Sequence, residues 1–116
     1  MAKTLFSLDI DGTLDIGDPP GPLTVAMVRR AIQRGCIVGS CSDRPLSTQR
    51  KLFADCGISV AFAVSKHMLD EVKSSFEAET YYHIGDREDL DKRYALLAGF
   101  DFLWPHESVD LHWFEE

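Results

Sequence analysis

The segment that decides the fold is residues 5–14, which reads Leu-Phe-Ser-Leu-Asp-Ile-Asp-Gly-Thr-Leu. Its first four residues are mainly apolar, which predicts a buried β-strand. Asp9 and Asp11 follow at the carboxyl end, where alternate residues point to the same side with Cα atoms about 7 Å apart. Gly12 permits a tight turn or a close approach of the backbone to an anion. Because two such carboxylates repel each other unless a cation or a shared proton separates them, the pair predicts a metal site.

Downstream of this segment, apolar runs alternate with helical patterns. Residues 15–22 are too rich in Gly and Pro for regular structure, so we expect a loop there. Thr24 is a typical N-cap residue, and Gly35 is expected to end the helix that follows it. The predicted strands are residues 5–8, 36–41, 58–64, 80–84 and 100–104, the last ended by Pro105. The apolar faces of the four predicted helices are Val25, Val28, Ala31 and Ile32; Leu46, Leu52, Phe53 and Cys56; Met68, Leu69, Val72 and Phe76; and Leu90, Tyr94, Leu97 and Ala98.

The alternation of five strands with four helices predicts an α/β fold. Parallel strands joined by right-handed helical crossovers place helices on both faces of a sheet. We therefore expect a three-layer, doubly wound, parallel five-stranded sheet of the Rossmann-like type. A chain of 116 residues without a linker or an internal repeat is expected to form one domain, residues 1–116.

Polar residues follow the predicted strands at the positions where such sheets bind ligands, beyond the carboxyl ends. Ser42, Asp43 and Arg44 follow the second strand, and Lys66 follows the third. Residues 85–91 follow the fourth strand and are rich in acids. One edge of the sheet thus holds acids, a hydroxyl and a lysine, which suits a metal and an anionic, phosphate-like substrate.

Composition excludes several classes of protein. No run of about 18 apolar residues is present, which argues against a membrane span. The predicted strand near the N-terminus leaves no room for a signal peptide, so we expect a cytoplasmic protein. Cys36, Cys41 and Cys56 lack CxxC spacing and are expected to be buried and reduced. The net charge of −7 opposes nonspecific binding to nucleic acid, without excluding a local contact.

The chain resembles phosphatases of the haloacid dehalogenase (HAD) superfamily over nearly its whole length. Residues 9–13, Asp-Ile-Asp-Gly-Thr, resemble the first motif of that superfamily, DxDGT. Ser42 resembles the Ser or Thr of the second motif, and Lys66 resembles the lysine of the third. Gly85-Asp86 with a downstream acid, Asp91, resembles the fourth motif. The first and fourth motifs together are specific, whereas a single Ser or Lys is not.

The resemblance implies a function for each of these residues. Asp9 would attack phosphorus and form an aspartyl-phosphate, while Asp11 would protonate the leaving oxygen and later activate water. The phosphoryl oxygens would be held by Ser42 and Lys66, with Gly12 and Thr13 in the turn of the first motif. The cofactor would be Mg²⁺, held by Asp9, the main-chain carbonyl of Asp11, and Asp86.

Several positions have two interpretations. Asp91 is favoured as the outer acid of the fourth motif over Asp89, and Ser42 is favoured over Ser40 in the second. Arg44 and Arg87 are candidates for contact with the leaving group, although surface ion pairs are equally consistent with their positions. Two histidines, His67 and His83, are interpreted as structural. Three aromatic residues near the end are interpreted as packing residues or, alternatively, as a small self-association surface: Trp104, Trp113 and Phe114.

The sequence predicts a Mg²⁺-dependent phosphomonoester hydrolase. No cap domain is predicted between the motifs, so the site should be open unless a second subunit covers it, and homo-oligomerisation is left open. A small or accessible phosphomonoester is the preferred substrate. Alternatives are a polynucleotide-end (3′-phosphate) phosphatase, a phosphoprotein phosphatase, and a noncatalytic HAD-like binding module. A response-regulator receiver does not fit, because its acceptor aspartate would end the third strand, where Val64-Ser65-Lys66 stand.

Overall fold

A computed structural model describes residues 3–116 and contains a five-stranded parallel sheet. Its strands are β1 (Thr4–Leu8), β2 (Ile37–Cys41), β3 (Ala63–Val64), β4 (Thr80–Ile84) and β5 (Asp101–Leu103). The strand order is β3-β2-β1-β4-β5. The predicted α/β class with a parallel, Rossmann-like sheet is therefore confirmed. The order changes direction at β1, so the acids that follow β1 stand beside the ends of β2 and β4.

Five α-helices and two shorter turns connect and follow these strands. The helices are α1 (Val25–Gln33), α2 (Leu46–Asp55), α3 (Leu69–Ser75), α4 (Arg93–Ala98) and α5 (Pro105–Ser108). A 3₁₀ turn (Lys66–Met68) precedes α3, and a π-helical turn (Glu88–Lys92) precedes α4. Thr24 caps α1 as predicted, since its hydroxyl accepts a hydrogen bond from the Met27 amide. Among the described residues, no helix has the length and apolarity that crossing a membrane requires.

The side chains of β1 divide between two hydrophobic clusters because successive residues of a strand point in opposite directions. Phe6 and Leu8 belong to a cluster that includes Val28 of α1 and Phe53 of α2. Leu5 belongs to a second cluster, which includes Leu69 and Val72 of α3 and Ala95 of α4. The last residues of β1, β2, β3 and β4 belong to these two clusters or pack against them, so the clusters support the strand ends that precede the candidate site residues.

The two edge strands are shorter than predicted, and the outermost residues of each predicted strand bond to neighbouring helices instead of to a strand. At β3, the Ile58 amide donates to the Phe53 carbonyl at the end of α2 rather than to a strand. At β5, the Phe100 amide donates to the Ala95 carbonyl, and the Trp104 amide donates to the Glu107 carboxylate. Pro105, predicted to end the strand, is also the first residue of α5.

The predicted apolar face of the fourth helix is wrong at Leu97, which is 72% exposed, whereas Ala95 is fully buried. The cause is the π-helical turn, in which the Lys92 amide bonds to the Arg87 carbonyl five residues earlier. One additional residue in a turn rotates everything after it by about 100°. Asp91 lies within this turn and is fully buried.

Two of the three cysteines are buried as predicted, and Cys56 is only partly buried. Burial raises the pKa of the Cys36 thiol to about 11. It also raises the pKa of the Cys41 thiol well above its usual range. Both therefore stay protonated near neutral pH and act as small apolar residues.

The C-terminal segment completes the first cluster through Phe114. Its fully buried ring lies 4.9 Å from that of Phe6, measured between centroids. The Arg30 guanidinium of α1 donates to the Phe114 carbonyl at 2.8 Å. The interpretation of Phe114 as a packing residue agrees with this position.

We expect Phe114→Ala to destabilise the protein by about 3–5 kcal/mol, since it leaves a cavity beneath the central strand. Urea unfolding measures the difference. The exposed neighbour offers a matched control, because Glu115→Ala should change the free energy of unfolding by less than about 0.5 kcal/mol. A loss below 1 kcal/mol for Phe114→Ala would contradict this account of the core.

Candidate active site

A cleft of about 260 Å³ lies at the carboxyl ends of the strands. It is lined by Asp9, Asp11, Pro19, Ser42, Asp43, Lys66, Asp86 and Arg87. Six of these eight residues were singled out from the sequence as site residues, and Pro19 and Asp43 are the additions. The parallel topology explains the convergence, since it brings the ends of β1, β2 and β4 and the turn after β3 to one edge.

Lys66 is the buried positive charge of the cleft. It begins the 3₁₀ turn after β3 and is only 4% exposed. Its Nζ lies 3.6 Å from Asp9 Oδ1 and 3.2 Å from Asp91 Oδ2. Burial acts to lower the pKa of the Lys66 ammonium, but Asp9 and Asp91 together raise it above its usual value. The lysine is therefore charged in the cleft, and the neighbouring carboxylates keep it so.

Asp9 directly follows β1 and is 3% exposed. Its amide donates to the Ile84 carbonyl, which fixes the backbone against β4. Burial and the negative charge of Asp91 raise the pKa of Asp9 above its usual range, while Lys66 acts to lower it. Any further positive charge placed beside Asp9 would therefore stabilise its ionised form.

Asp9, Asp86 and Asp91 form a cluster in which one carboxylate oxygen from each lies within 4.8 Å of the others. Asp91 is the most heavily hydrogen-bonded of the three, since its oxygens accept hydrogen bonds from Lys66, His83 and the Arg87 amide. Asp9 and Asp86 are thus the carboxylates available to a cation. This donor set fits Mg²⁺, which binds one or two carboxylates together with water and phosphate oxygens.

Gly12 allows Asp86 to reach this cluster. A Cβ atom at position 12 would lie 1.9 Å from Asp86 Oδ2, and the φ angle of Gly12 is +76°. Both the space and the left-handed backbone therefore require glycine here. The Gly12 amide donates to the Pro19 carbonyl, and the Thr13 hydroxyl donates to Asp9 Oδ2 at 3.2 Å. A phosphate contact by Gly12 or Thr13 stays a prediction, because these donors are engaged within the protein.

Asp11 lies in a different electrostatic environment from Asp9. Arg44 holds its carboxylate with two hydrogen bonds, of 2.7 Å from Nη2 and 3.1 Å from Nε. The Asp18 amide donates to the same carboxylate at 2.8 Å. The hydrogen bonds from Arg44 hold the pKa of Asp11 below its usual value, and the one from Asp18 acts in the same direction. The carboxylate of Asp11 lies outside the three-acid cluster, and its predicted contact with a metal is through the main-chain carbonyl.

The end of β2 is organised by Gln49, which the sequence analysis did not identify. This buried side chain accepts a hydrogen bond from Ser40 at 2.6 Å. Its amide nitrogen donates to the carbonyls of Ser42, Arg44 and Val64. Gln49 thereby ties β2 to β3 and orients the turn that carries Ser42.

A signal for Gln49 was present in the helical periodicity. It lies three residues after Leu46 and four before Phe53, which places a polar residue on the predicted apolar face. The structure buries Gln49 and leaves Leu46 43% exposed, so the prediction for Leu46 was wrong. Ser40 is occupied by Gln49, whereas Ser42 lines the cleft and accepts from the Arg44 amide.

The two candidates for the outer acid, Asp89 and Asp91, both lie in the π-helical turn but in different environments. Asp91 is fully buried beside Lys66. Asp89 is exposed and forms an ion pair with Arg87 at 2.7 Å. Arg87 also lines the cleft, whereas Arg44 reaches it through Asp11.

Comparisons of this chain with models of protein families, with curated proteins and with solved structures find no match. Its function is therefore inferred from the residues and the geometry of the cleft.

We expect Asp86→Asn to have opposite effects on stability with and without a divalent cation. In EDTA the variant should melt at a higher temperature than the wild type, because one negative charge leaves the crowded acid cluster. With millimolar Mg²⁺, the wild type should gain a few degrees and the variant much less, since a ligand stabilises only what it binds. Differential scanning fluorimetry measures both shifts.

Asp89→Asn is the matched control, because it removes an acid that lies three residues after Asp86 but outside the cluster. It should keep the wild-type response to Mg²⁺. An equal response of Asp86→Asn and the wild type would refute the assignment of Asp86 as a metal ligand.

Proposed function

We propose that this chain is a Mg²⁺-dependent phosphomonoester hydrolase of the HAD type that works through an aspartyl-phosphate on Asp9. The doubly wound layering and the capless arrangement typical of that type are parts of the same proposal. The observation that carries it is the position of Asp9, buried at the cleft between the Lys66 ammonium and the Asp86 carboxylate. A nucleophilic carboxylate, a fixed cation and a second acid are the groups that phosphoryl transfer requires.

In the proposed first step, an Asp9 carboxylate oxygen attacks phosphorus while the bond to the ester oxygen breaks. Asp11 gives its proton to that oxygen, and the alcohol leaves. In the second step Asp11 accepts a proton from water, which attacks phosphorus and releases inorganic phosphate and the Asp9 carboxylate. Lys66 stabilises the charge on the equatorial oxygens, and Ser42 donates a hydrogen bond to one of them.

Asp9 and Asp86 would hold the metal, together with the carbonyl of Asp11. Bound there, Mg²⁺ would neutralise the carboxylates and the phosphoryl oxygens that must approach each other. The crowding of Asp9, Asp86 and Asp91 within 4.8 Å supports this part of the proposal.

One observation favours the noncatalytic binding module as the second candidate. Arg44 holds Asp11 in its ionised form, and an ionised carboxylate has no proton to give. For catalysis, the ion pair must open so that Asp11 can be protonated. The partial exposure of both side chains, 29% for Arg44 and 36% for Asp11, is compatible with opening.

The connection between β1 and α1, residues 9–24, is a loop without an inserted cap domain, which supports an accessible phosphomonoester as substrate. These residues contribute Pro19 to the wall of the cleft and leave Asp11 and Asp86 reachable by solvent. The net charge of −7 favours a small substrate over a polyanion. A polynucleotide 3′-end or a phosphoprotein is the alternative substrate class.

Substitution of the two aspartates distinguishes the enzyme from the binding module. Asp9→Asn removes the nucleophile and should abolish both turnover and acid-stable labelling from a ³²P-phosphate ester. Asp11→Asn should still be labelled from an aryl phosphate, because a good leaving group needs little protonation. It should accumulate the phosphoenzyme and be nearly inactive towards an alkyl phosphate. Rapid-quench labelling in Mg²⁺ measures these outcomes.

Asp55→Asn controls for nonspecific effects, since Asp55 is an exposed acid that pairs with Lys51 on α2. It should label and turn over like the wild type. Labelling of Asp9→Asn at the wild-type level would overturn the assignment of the nucleophile. A wild type that binds phosphate but never hydrolyses any ester would instead support the binding module.

The ion pair of Asp11 and Arg44 predicts a change in the pH profile. Arg44→Gln removes the hydrogen bonds that lower the pKa of Asp11, so this pKa should rise. Because the first step uses protonated Asp11, the decline of kcat at high pH should move to higher pH. The profile is measured with an alkyl phosphate at saturating concentration. Arg87→Gln, which removes an arginine paired with Asp89 instead, should leave the position of that limb unchanged.

A further inference from the structure

A buried chain of polar side chains leads from the middle of the sheet to Lys66. Ser7 of β1 and His83 of β4 are register partners, and the Ser7 hydroxyl lies 2.9 Å from His83 Nδ1. His83 Nε2 lies 2.7 Å from Asp91 Oδ1, and Asp91 Oδ2 lies 3.2 Å from Lys66 Nζ. Ser7, His83 and Asp91 are each fully buried.

The direction of these hydrogen bonds follows from the acceptor at their centre. An ionised carboxylate only accepts, so His83 Nε2 donates to Asp91. In the neutral ring, Nδ1 is then an acceptor, and the Ser7 hydroxyl donates to it. The Ser7 hydroxyl and each ring nitrogen of His83 thus have one assigned partner, which fixes the tautomer and the plane of the imidazole ring.

Asp91 is held from three sides. His83 binds one oxygen, while Lys66 and the Arg87 amide bind the other. Behind it, a Cβ atom at position 85 would lie 2.1 Å from Asp91 Cγ, so the carboxylate is pressed against Gly85 of the chain. Its freedom to rotate is therefore small, and His83 is the side chain that fixes the oxygen opposite the one that holds Lys66.

A chain of buried polar side chains is in general weak evidence for a role in stability. Buried polar groups cost free energy unless every one of them is paired, and apolar residues of similar volume often replace them without loss. Within residues 3–116, all fully buried side-chain nitrogen and oxygen atoms have a partner. A fully satisfied network that ends on the cleft lysine is what pre-organisation of that lysine requires.

We propose that His83, held by Ser7, is a positioning residue that aligns the Lys66 ammonium for the phosphoryl group through Asp91. The inference rests on the proposed function, and it assigns to a strand residue outside the cleft a part in the affinity for phosphate. His83 itself does not touch the substrate. Its effect is on the direction and the mobility of Lys66.

The test compares two substitutions of His83. His83→Leu fills the space without a donor, whereas His83→Gln keeps an amide N–H near the position of Nε2. We expect the leucine variant to lower kcat for an aryl phosphate about ten- to a hundredfold, as loss of an orienting partner commonly does. Its dissociation constant for inorganic phosphate should rise by about the same order. The glutamine variant should stay within about threefold of the wild type in both. His112→Leu, an exposed histidine, should match the wild type.

A double-mutant cycle separates positioning from a general effect on the fold. In a Lys66→Met background, His83→Leu should change phosphate affinity and kcat by less than about twofold, because the lysine it aligns is gone. Lys66→Gln serves as the second background if Lys66→Met does not fold, and thermal melting monitors every variant. Equal losses in both backgrounds, failure of glutamine to rescue, or no loss in a folded His83→Leu variant would each overturn the proposal.

The phosphate titration keeps this test distinct from that of the proposed function. If the wild type binds phosphate but hydrolyses no ester, the hydrolase is refuted, and the phosphate affinities of the same variants still decide the role of His83. If the wild type binds no phosphate, both proposals fail together. If the wild type is an active phosphatase and the cycle is additive, only the role of His83 is lost.

Discussion

The charge balance around one buried lysine determines much of this site. Lys66 is almost without solvent, so its ammonium loses hydration that only carboxylates at close range replace. Asp9 and Asp91 supply that compensation at 3.6 and 3.2 Å. Asp43 Oδ2 also lies 3.6 Å from this ammonium, and Asp86 belongs to the cluster of Asp9 and Asp91, so the site holds four acids and one buried ammonium. The excess of negative charge lies on the open side of the cleft, where a cation and then an anionic substrate can enter. The fold thus leaves an excess of negative charge on the open side of the cleft, where the proposed phosphoryl transfer requires a cation.

The sheet explains why this balance could be anticipated from the sequence. The β-forming residues 80–84 predicted β4 with its observed bounds, and apolar runs predicted the other strands, although β3 begins at Ala63 instead of Ile58. Parallel topology then required the residues after those strands to meet. Asp9, Ser42, Lys66 and Asp86 all line the cleft. None of these positions needed side-chain detail, since each stands within two residues of the end of a strand. The preference for Asp91 over Asp89 rested on its spacing to Ala98-Gly99 and could not be decided from the position of the strand. In the structure Asp91 is buried beside Lys66 and Asp89 is exposed.

Two kinds of feature could not be predicted. One is a side chain that hydrogen-bonds to several backbone carbonyls, and the other is which face of a short helix points to the core. The helical periodicity places Gln49 on an apolar face, but no local pattern reports its four hydrogen-bonding partners, which come from residues 40–44 and from Val64 of β3. Leu97 was assigned to the core from a regular 3.6-residue repeat, and a single inserted residue turned it to solvent. His83 was interpreted as structural because it lacks ligands at metal spacing. Its partners, Ser7 and Asp91, become visible only when β1 and β4 are paired and the π-helical turn is in place.

Asp9 and Asp11 show how two residues of the same type, two positions apart, can acquire different tasks. Burial and Asp91 raise the pKa of Asp9, whereas hydrogen bonds from Arg44 lower that of Asp11. In this state the order is the reverse of what phosphoryl transfer requires, since the nucleophile must be ionised and the proton donor must be protonated. Both shifts have removable causes. Positive charge beside Asp9 and Asp86 would favour the ionised nucleophile, and an anion that attracts Arg44 would free Asp11 to take up a proton. A phosphate ester brings such an anion. If the chain is the proposed hydrolase, the electrostatics without substrate would therefore hold the two carboxylates inactive until a phosphate ester binds, and Arg44 would be the residue on which that change depends.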